Sequence, residues 1–391
     1  MTRRVAVTGI GIVSPCGIGR EAFWEGLCSP APEGIRAVHD FDPLPHFANP
    51  KEARRADRFT QFALAAAGEA LEQAGEIDAD PTRCGVLIGT GIGGINTLEK
   101  QILIRAEKGE RRVSPFLVPM MMPNAAPAAV SMRYGWQGPC EATVTACAAS
   151  THAIGNAANL IRSGRCDAVI TGGTESALTI TALAGFGNMT ALSSVGISRP
   201  FDAERDGFMM AEAAAILVLE EHSAAEARGA EILGEVVGSA SSADAHHITS
   251  PAPGGSGAIN CMEIALADAS LSAADIVHIN AHGTSTPLND MAEAIAIDKL
   301  FGTNGPAVTS TKGVTGHALG AAGALEAAAV LLSMQHRLIP PTAGYSTPDP
   351  EMPSFDLVTD EPRTWEPGPS MSNSFGFGGH NGTLVLAPPS A

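Results

Sequence analysis

Three reactive side chains stand where a strand-like run gives way to a helix-like one. They are Cys147 in EATVTACAASTHAIGNA, His282 in NAHGTSTPLND and His317 in STKGVTGHALGAAGALEAA. The β-branched run before Cys147 reads as a buried strand, and the small residues after it carry a helical pattern to Gly164. The thiol therefore falls at a helix N-terminus, where the partial positive charge favours thiolate, the nucleophilic form. Most buried cysteines are small apolar fillers; here the surrounding residues argue otherwise. A strand-to-helix corner also turns backbone N–H groups into the same space, as an oxyanion site requires. His282 and His317 occupy similar settings in the half of the chain opposite the cysteine, with Lys312 just before His317 and Glu326 beyond it. NSFGFGGHNG (373–382) is too glycine-rich for a packed strand and reads as a closely approached loop carrying one large side chain, Phe377.

Short β-branched runs alternate with Ala/Leu-rich segments, the pattern of an α/β fold with buried strands. RVAVTGIG, CGVLIGTG, EATVTAC, DAVITGG and AAAILVLEE form a first series; ILGEVVGS, IVHINAHG, AVTSTKG, SMSNSFG and GTLVLAP form a second. Laid side by side, VLIGTGIGG matches HINAHGTST, ATVTACAAS matches VTSTKGVTGHALG, and VITGGTES matches SMSNSFGFGG. This weak duplication has its joint near 221–235 and divides the chain into halves 1–225 and 226–391. Equivalent strand ends would then meet face to face, where ligand sites of such sheets form.

The 391 residues carry a net charge of −17, which argues against nucleic-acid binding. Seven scattered cysteines without a CxxC pair suggest neither a disulfide framework nor a zinc ribbon. MTRRVAVTGIGIVSP, broken by Thr8, Gly9 and Gly11, reads as a first strand rather than a signal peptide. No apolar run approaches the ~20 residues of a membrane span. A reduced, cytoplasmic enzyme is expected. GTGIGG (89–94) matches GxGxxG, but without a strongly helical continuation or a following ribose-binding acid it is weak evidence for a dinucleotide. No GxSxG elbow occurs.

TACAAS, NAHGTSTPLND, STKGVTGHALGAAGALE and NSFGFGGHNG resemble, in order and spacing, the signatures of elongating β-ketoacyl-acyl-carrier-protein synthases. The likeness runs through the whole chain, including VAVTGIGIVSPCG and RPFDAERDGF. It implies a thiolase-like duplicated α/β fold, two pseudo-symmetric halves with five-stranded mixed sheets in layered packing, normally as a homodimer. It implies decarboxylative Claisen condensation: an acyl chain passes to Cys147, and malonyl-acyl carrier protein loses carbon dioxide and attacks that thioester. The resemblance assigns the oxyanion hole to the N–H groups of Cys147 and Phe377, and enolate stabilisation to His282 and His317. Lys312 would fix His317; Glu326 matches the family's buried acid, structural or catalytic. Thr284 and Thr286 would hold the phosphopantetheine, beside Gly378 and Gly379 of the loop. Lys51, Arg54, Arg55, Arg111 and Arg112 coincide with carrier-protein contacts. Neither a metal nor a cofactor of its own is implied, because phosphopantetheine arrives on the carrier.

Two departures stand out. Ala211, Ala213 and Ala215 replace the glycines of a usual GFVxGEGAG, and His380 stands where threonine is usual. Both are expected near the active-site entrance, where they would retune chain preference or inhibitor binding. A basic residue expected in FGNMTALS is missing, with Thr190 near its place. Two other readings remain beside this one: a non-catalytic chain-length-factor-like subunit, which would lack the cysteine, and a thiolase, which would need a second cysteine near the C-terminus. None follows Cys261.

Overall fold

The computed structural model describes residues 3–389. Its ten principal strands are β1 (Val5–Ser14), β2 (Cys84–Gly89), β3 (Cys140–Thr143), β4 (Ala168–Glu175), β5 (Ala213–Glu221), β6 (Gly234–Ala243), β7 (His278–Asn280), β8 (Ala307–Thr309), β9 (Ser370–Gly376) and β10 (His380–Ala387). The helices that matter for the site are α1 (Arg58–Ala74), α2 (Ile95–Lys108), α3 (Ala149–Arg162), α4 (Ser256–Ala269), α5 (Pro287–Phe301) and α6 (Ala322–His336).

The strands line up as β3-β2-β4-β5-β1-β6-β10-β9-β7-β8. That order is a palindrome in the repeat: β1 to β5 in one half answer β6, β7, β8, β9 and β10 in the other. Pairing repeats as well. β2 runs parallel to β3 and β4, as β7 does to β8 and β9. β5 is antiparallel to both β4 and β1, as β10 is to β9 and β6. The two five-stranded mixed sheets meet edge to edge through Ala6↔Glu235 and Val7↔Gly234.

β1 is buried at every position, which its unalternating VAVTGIGIVS requires: a strand covered on both faces reads as a continuous apolar run. Gly11 allows α1 to lie directly on it, since a Cβ there would fall 1.9 Å from the Ala66 carbonyl oxygen. α6 is buried from Ala322 to Met334. A helix apolar all round belongs inside a core. Together with Ile154, Ala157, Ala158 and Ile161 of α3, it packs in one cluster with Val7, Leu217 and Val236. α3 and α6 are thus the shared central layer, and the turns that open them face each other.

Two expectations change. β3 is an edge strand paired only with β2, with Cys140 and Glu141 exposed and Ala142 and Thr143 only partly buried. The glycine-rich C-terminal stretch is mostly strand: only Phe377, Gly378 and Gly379 form the loop between β9 and β10.

Candidate active site

Cys147 lies in a one-turn 3₁₀ segment (Ala146–Ala148) between β3 and α3. Ala146 holds φ of 50°, a left-handed conformation costly for a residue with a Cβ. That elbow turns the sulfur out of the strand line towards the second half. There His317 Nε2 stands 3.0 Å from Cys147 Sγ. Gly376 closes the other side, where a Cβ would fall 3.0 Å from the Cys147 nitrogen, and the next residue, Phe377, directs its N–H to the sulfur.

His282 follows β7, and its ring meets that of His317 at 5.5 Å and 83°. The donor atoms of Cys147, His282 and His317 lie within 4.8 Å of one another, close enough to share one carbonyl oxygen or one metal ion. All three residues are buried. Burial, with the Lys312 charge adding to it, pushes both imidazoles well below the ordinary histidine range, so both are neutral near pH 7. His317 Nδ1 has no polar partner among the described residues, so Nε2, facing the sulfur, is the ring nitrogen that makes the polar contact.

Lys312 closes on His282, not on His317. Its ammonium donates to the His282 carbonyl at 2.6 Å and lies 3.3 Å from His282 Nδ1. It also pairs with Glu326, which burial nevertheless pushes up to about 7. The His282 side chain therefore keeps its hydrogen on Nε2, since Nδ1 accepts from the ammonium.

The thiol itself departs from expectation. Burial pushes Cys147 up to about 11, although Lys312 and the Phe377 N–H pull it down. A helix terminus supplies at most about 2 kcal/mol, near one and a half pKa units. Loss of water around the thiolate outweighs that. At rest Cys147 is a thiol.

A cavity of about 710 Å³ opens on the sulfur, lined among others by Phe186, Phe208, Thr284, Thr286, Gly379 and Leu319. The Thr284 and Thr286 hydroxyls are 2.9 Å apart. Gly378 donates to the Ile248 carbonyl at 2.7 Å, which ties the Phe377 loop to the segment after β6. Lys51, Arg54, Arg55, Arg111 and Arg112 are exposed on the surface rather than in this cavity. Arg55 lies over the Phe116 ring at 4.0 Å, which brings the two basic segments together.

A β-ketoacyl synthase N-terminal domain model matches residues 31–225, and the corresponding C-terminal domain model matches 233–346. The chain belongs to the β-ketoacyl synthase family. It is 44% identical, over 98% of both chains, to the 3-oxoacyl-[acyl-carrier-protein] synthase 2 of Synechocystis sp.. A Staphylococcus aureus protein of the same name is 45% identical over 97% of this chain and all of its own. Among solved structures, a beta-ketoacyl synthase from Burkholderia phymatum STM815 superposes with a TM-score of 0.91 at 32% identity, covering 99% of this chain and 100% of its own. A type II ketosynthase solved with its acyl-carrier protein and bound to a hexaketide gives 0.90 at 31%, with full coverage of both.

Against this family background the alanine departures lie elsewhere than at the entrance. Ala213 and Ala215 are fully buried in β5, opposite Glu175 and Gly173 of β4. Ala211 donates to the His317 carbonyl at 3.0 Å, behind the site. Methyl groups at these positions are expected to fill space near the loop that moves with Phe377; the sheet instead carries Ala213 and Ala215 into the core. His380 does stand by the loop, its ring 3.1 Å from where a Gly378 Cβ would be.

Several site residues were missed from sequence. Glu293 of α5 accepts from the His282 and Gly283 amides, both at 2.8 Å, and anchors the histidine loop. Phe208 packs edge-on against His317 at 4.9 Å, and its other neighbour Phe186 stacks on Phe377. An acid one helical face away from HGTST was the available signal for Glu293; nothing local marked Phe208.

Proposed function

We propose that this chain is an elongating β-ketoacyl-acyl-carrier-protein synthase that condenses a Cys147-bound acyl group with malonyl-acyl carrier protein. The observation that carries the reading is the convergence of one thiol and two neutral imidazoles on a single cavity. In the first step Cys147 Sγ attacks the acyl thioester. The sulfur–carbon bond to Cys147 forms, the bond to the pantetheine sulfur breaks, and the thiol proton ends on that leaving sulfur. The Phe377 and Cys147 N–H groups face the oxyanion.

In the second step the malonyl carboxylate leaves as carbon dioxide, and its electron pair becomes an enolate. His282 and His317 Nε2–H groups donate to the enolate oxygen without placing a full charge beside it. The enolate carbon attacks the Cys147 thioester, and the released thiolate regains a proton. A resting thiol suits this cycle, because its proton is then at hand for the departing pantetheine sulfur. Thr284 and Thr286 line the arm's approach. Lys51, Arg54, Arg55, Arg111 and Arg112 would meet an acidic carrier protein on this acidic enzyme. No cofactor beyond the carrier-borne phosphopantetheine is needed.

A homodimer fits the half-exposed edge strand β3, since an uncovered edge invites pairing, and Met132 nearby is 78% exposed. The halves 1–225 and 226–391 would act as one catalytic body in each subunit. No helix among the described residues is long and apolar enough to cross a membrane. A non-catalytic chain-length role is disfavoured by the intact Cys147–His317 pair. A condensation assay with malonyl-acyl carrier protein and acyl primers of graded length tests the function; absence of product with every primer would refute it.

A further inference from the structure

The glycine-rich GTGIGG loop has the amide arrangement of an anion site, and its anion is internal. Contrary to expectation it does run into a helix, α2, yet the space at its amides is filled by the Glu175 carboxylate from the end of β4. Glu175 accepts from the Gly91 N–H at 2.6 Å, the Thr90 hydroxyl at 3.1 Å and the Gly320 N–H at 3.1 Å. It is fully buried. The two glycines touch: a Cβ on Gly320 would fall 2.1 Å from the Gly91 nitrogen, and one on Gly91 would fall 2.8 Å from Glu175 Oε2.

The repeat gives this clamp its meaning. α3 opens after the turn Ala146–Ala148, and α6 opens after the turn Leu319–Ala321. Both turns begin with a left-handed non-glycine residue, Ala146 at φ 50° and Leu319 at φ 44°. Gly320 is therefore the counterpart of Cys147. Each turn is met by a strand end from the opposite half. β9 delivers Gly376 and the Phe377 N–H to Cys147, and β4 delivers the Glu175 carboxylate to Gly320. One crossing acts on the sulfur. The other fixes the turn that follows His317, whose Leu319 lines the cavity.

We propose that Glu175 is a positioning residue for the condensation. By holding the Leu319–Ala321 turn against the Thr90–Gly91 loop, it sets the 3.0 Å contact between His317 and Cys147. It touches no reacting atom. Burying a carboxylate on neutral donors costs more than an apolar closure of the same space, and burial duly pushes Glu175 up to about 7. A fold needing only packing would place an apolar side chain there. The inference rests on the role given to His317 above.

The test uses the full-length protein with Glu175→Gln, which puts an amide N–H among donors, and the milder Thr90→Val, which removes one donor. Acylation of Cys147 and carbon dioxide release from malonyl-acyl carrier protein are followed in separate single turnovers, with the thermal midpoint recorded. Glu175→Gln should slow carbon dioxide release by about tenfold or more, the scale on which sub-ångström misplacements act. Acylation and the KM for malonyl-acyl carrier protein should each change by less than about threefold. Thr90→Val, which keeps the carboxylate, should slow the same step measurably. Carbon dioxide release at the wild-type rate in either folded variant overturns the proposal, as does an equal loss of both steps. If the wild-type enzyme itself releases no carbon dioxide, the functional reading fails instead.

Discussion

Lys312 binds His282 through both its carbonyl and its Nδ1, while His317, five residues along the same segment, receives no hydrogen bond from it. The ammonium is held in turn by Glu326, with both side chains almost wholly buried. The two imidazoles are thus fixed in different ways: His282 by a buried charge pair, His317 by the backbone of Met209 and Ala211.

Lys312→Met should accordingly disturb His282 and strand Glu326. Removing one partner of a buried pair costs about 3–5 kcal/mol. Glu326 already lies near 7 with its partner present and must rise further without it. A raised carboxyl is stabilising in its protonated form and loses that stability as pH rises through its folded pKa. Urea denaturation should therefore show a larger deficit for the variant at pH 8 than at pH 6. Equal deficits at both would mean that Glu326 is not the stranded charge.

The sequence carried most of this site because the signatures mark chain segments whose backbone geometry is local. The strand-to-helix corner at Cys147, the turn at His317 and the strand pattern of both halves all follow from periodicity and small residues. What it could not carry is tertiary. The choice of Lys312 between two histidines depends on how β7 and the 310–317 segment face each other. The placement of Ala213 and Ala215 depends on β5 lying between β4 and β1. The thiol's state depends on burial, which overrides the helix terminus that the local sequence correctly placed.

Alkylation by iodoacetamide reads that state. With Cys147 near 11, the rate for the free enzyme should keep rising from pH 7 to 10 without levelling. A plateau near neutrality would show that the helix terminus prevails over desolvation.

His282→Ala and His317→Ala should each slow carbon dioxide release by roughly 10²–10³, the usual loss for one oxyanion donor, with acylation affected far less. Because both rings are held neutral, decarboxylation by the wild-type enzyme should lack a histidine limb near pH 6.5. A limb there that vanishes in either variant would contradict the neutral assignment.

Ala213→Gly and Ala215→Gly should lower stability by about 0.5–1 kcal/mol each, the cost of glycine inside a strand. Since both methyls are buried in β5, away from the Phe377 loop, the affinity for active-site inhibitors should stay within a factor of a few. A tenfold gain in inhibitor binding by these two variants, measured by titration, would restore the entrance role that the strand position argues against.

Cys147→Gln tests the central claim most directly, because it replaces the nucleophile with an amide that mimics the acylated thiol. The wild-type enzyme, given acyl- and malonyl-acyl carrier protein, should yield carbon dioxide and β-ketoacyl product in equal amounts. The variant should still release carbon dioxide from malonyl-acyl carrier protein, using His282 and His317, while forming no condensation product. Condensation by the Cys147→Gln enzyme would remove the sulfur from its role and contradict the account.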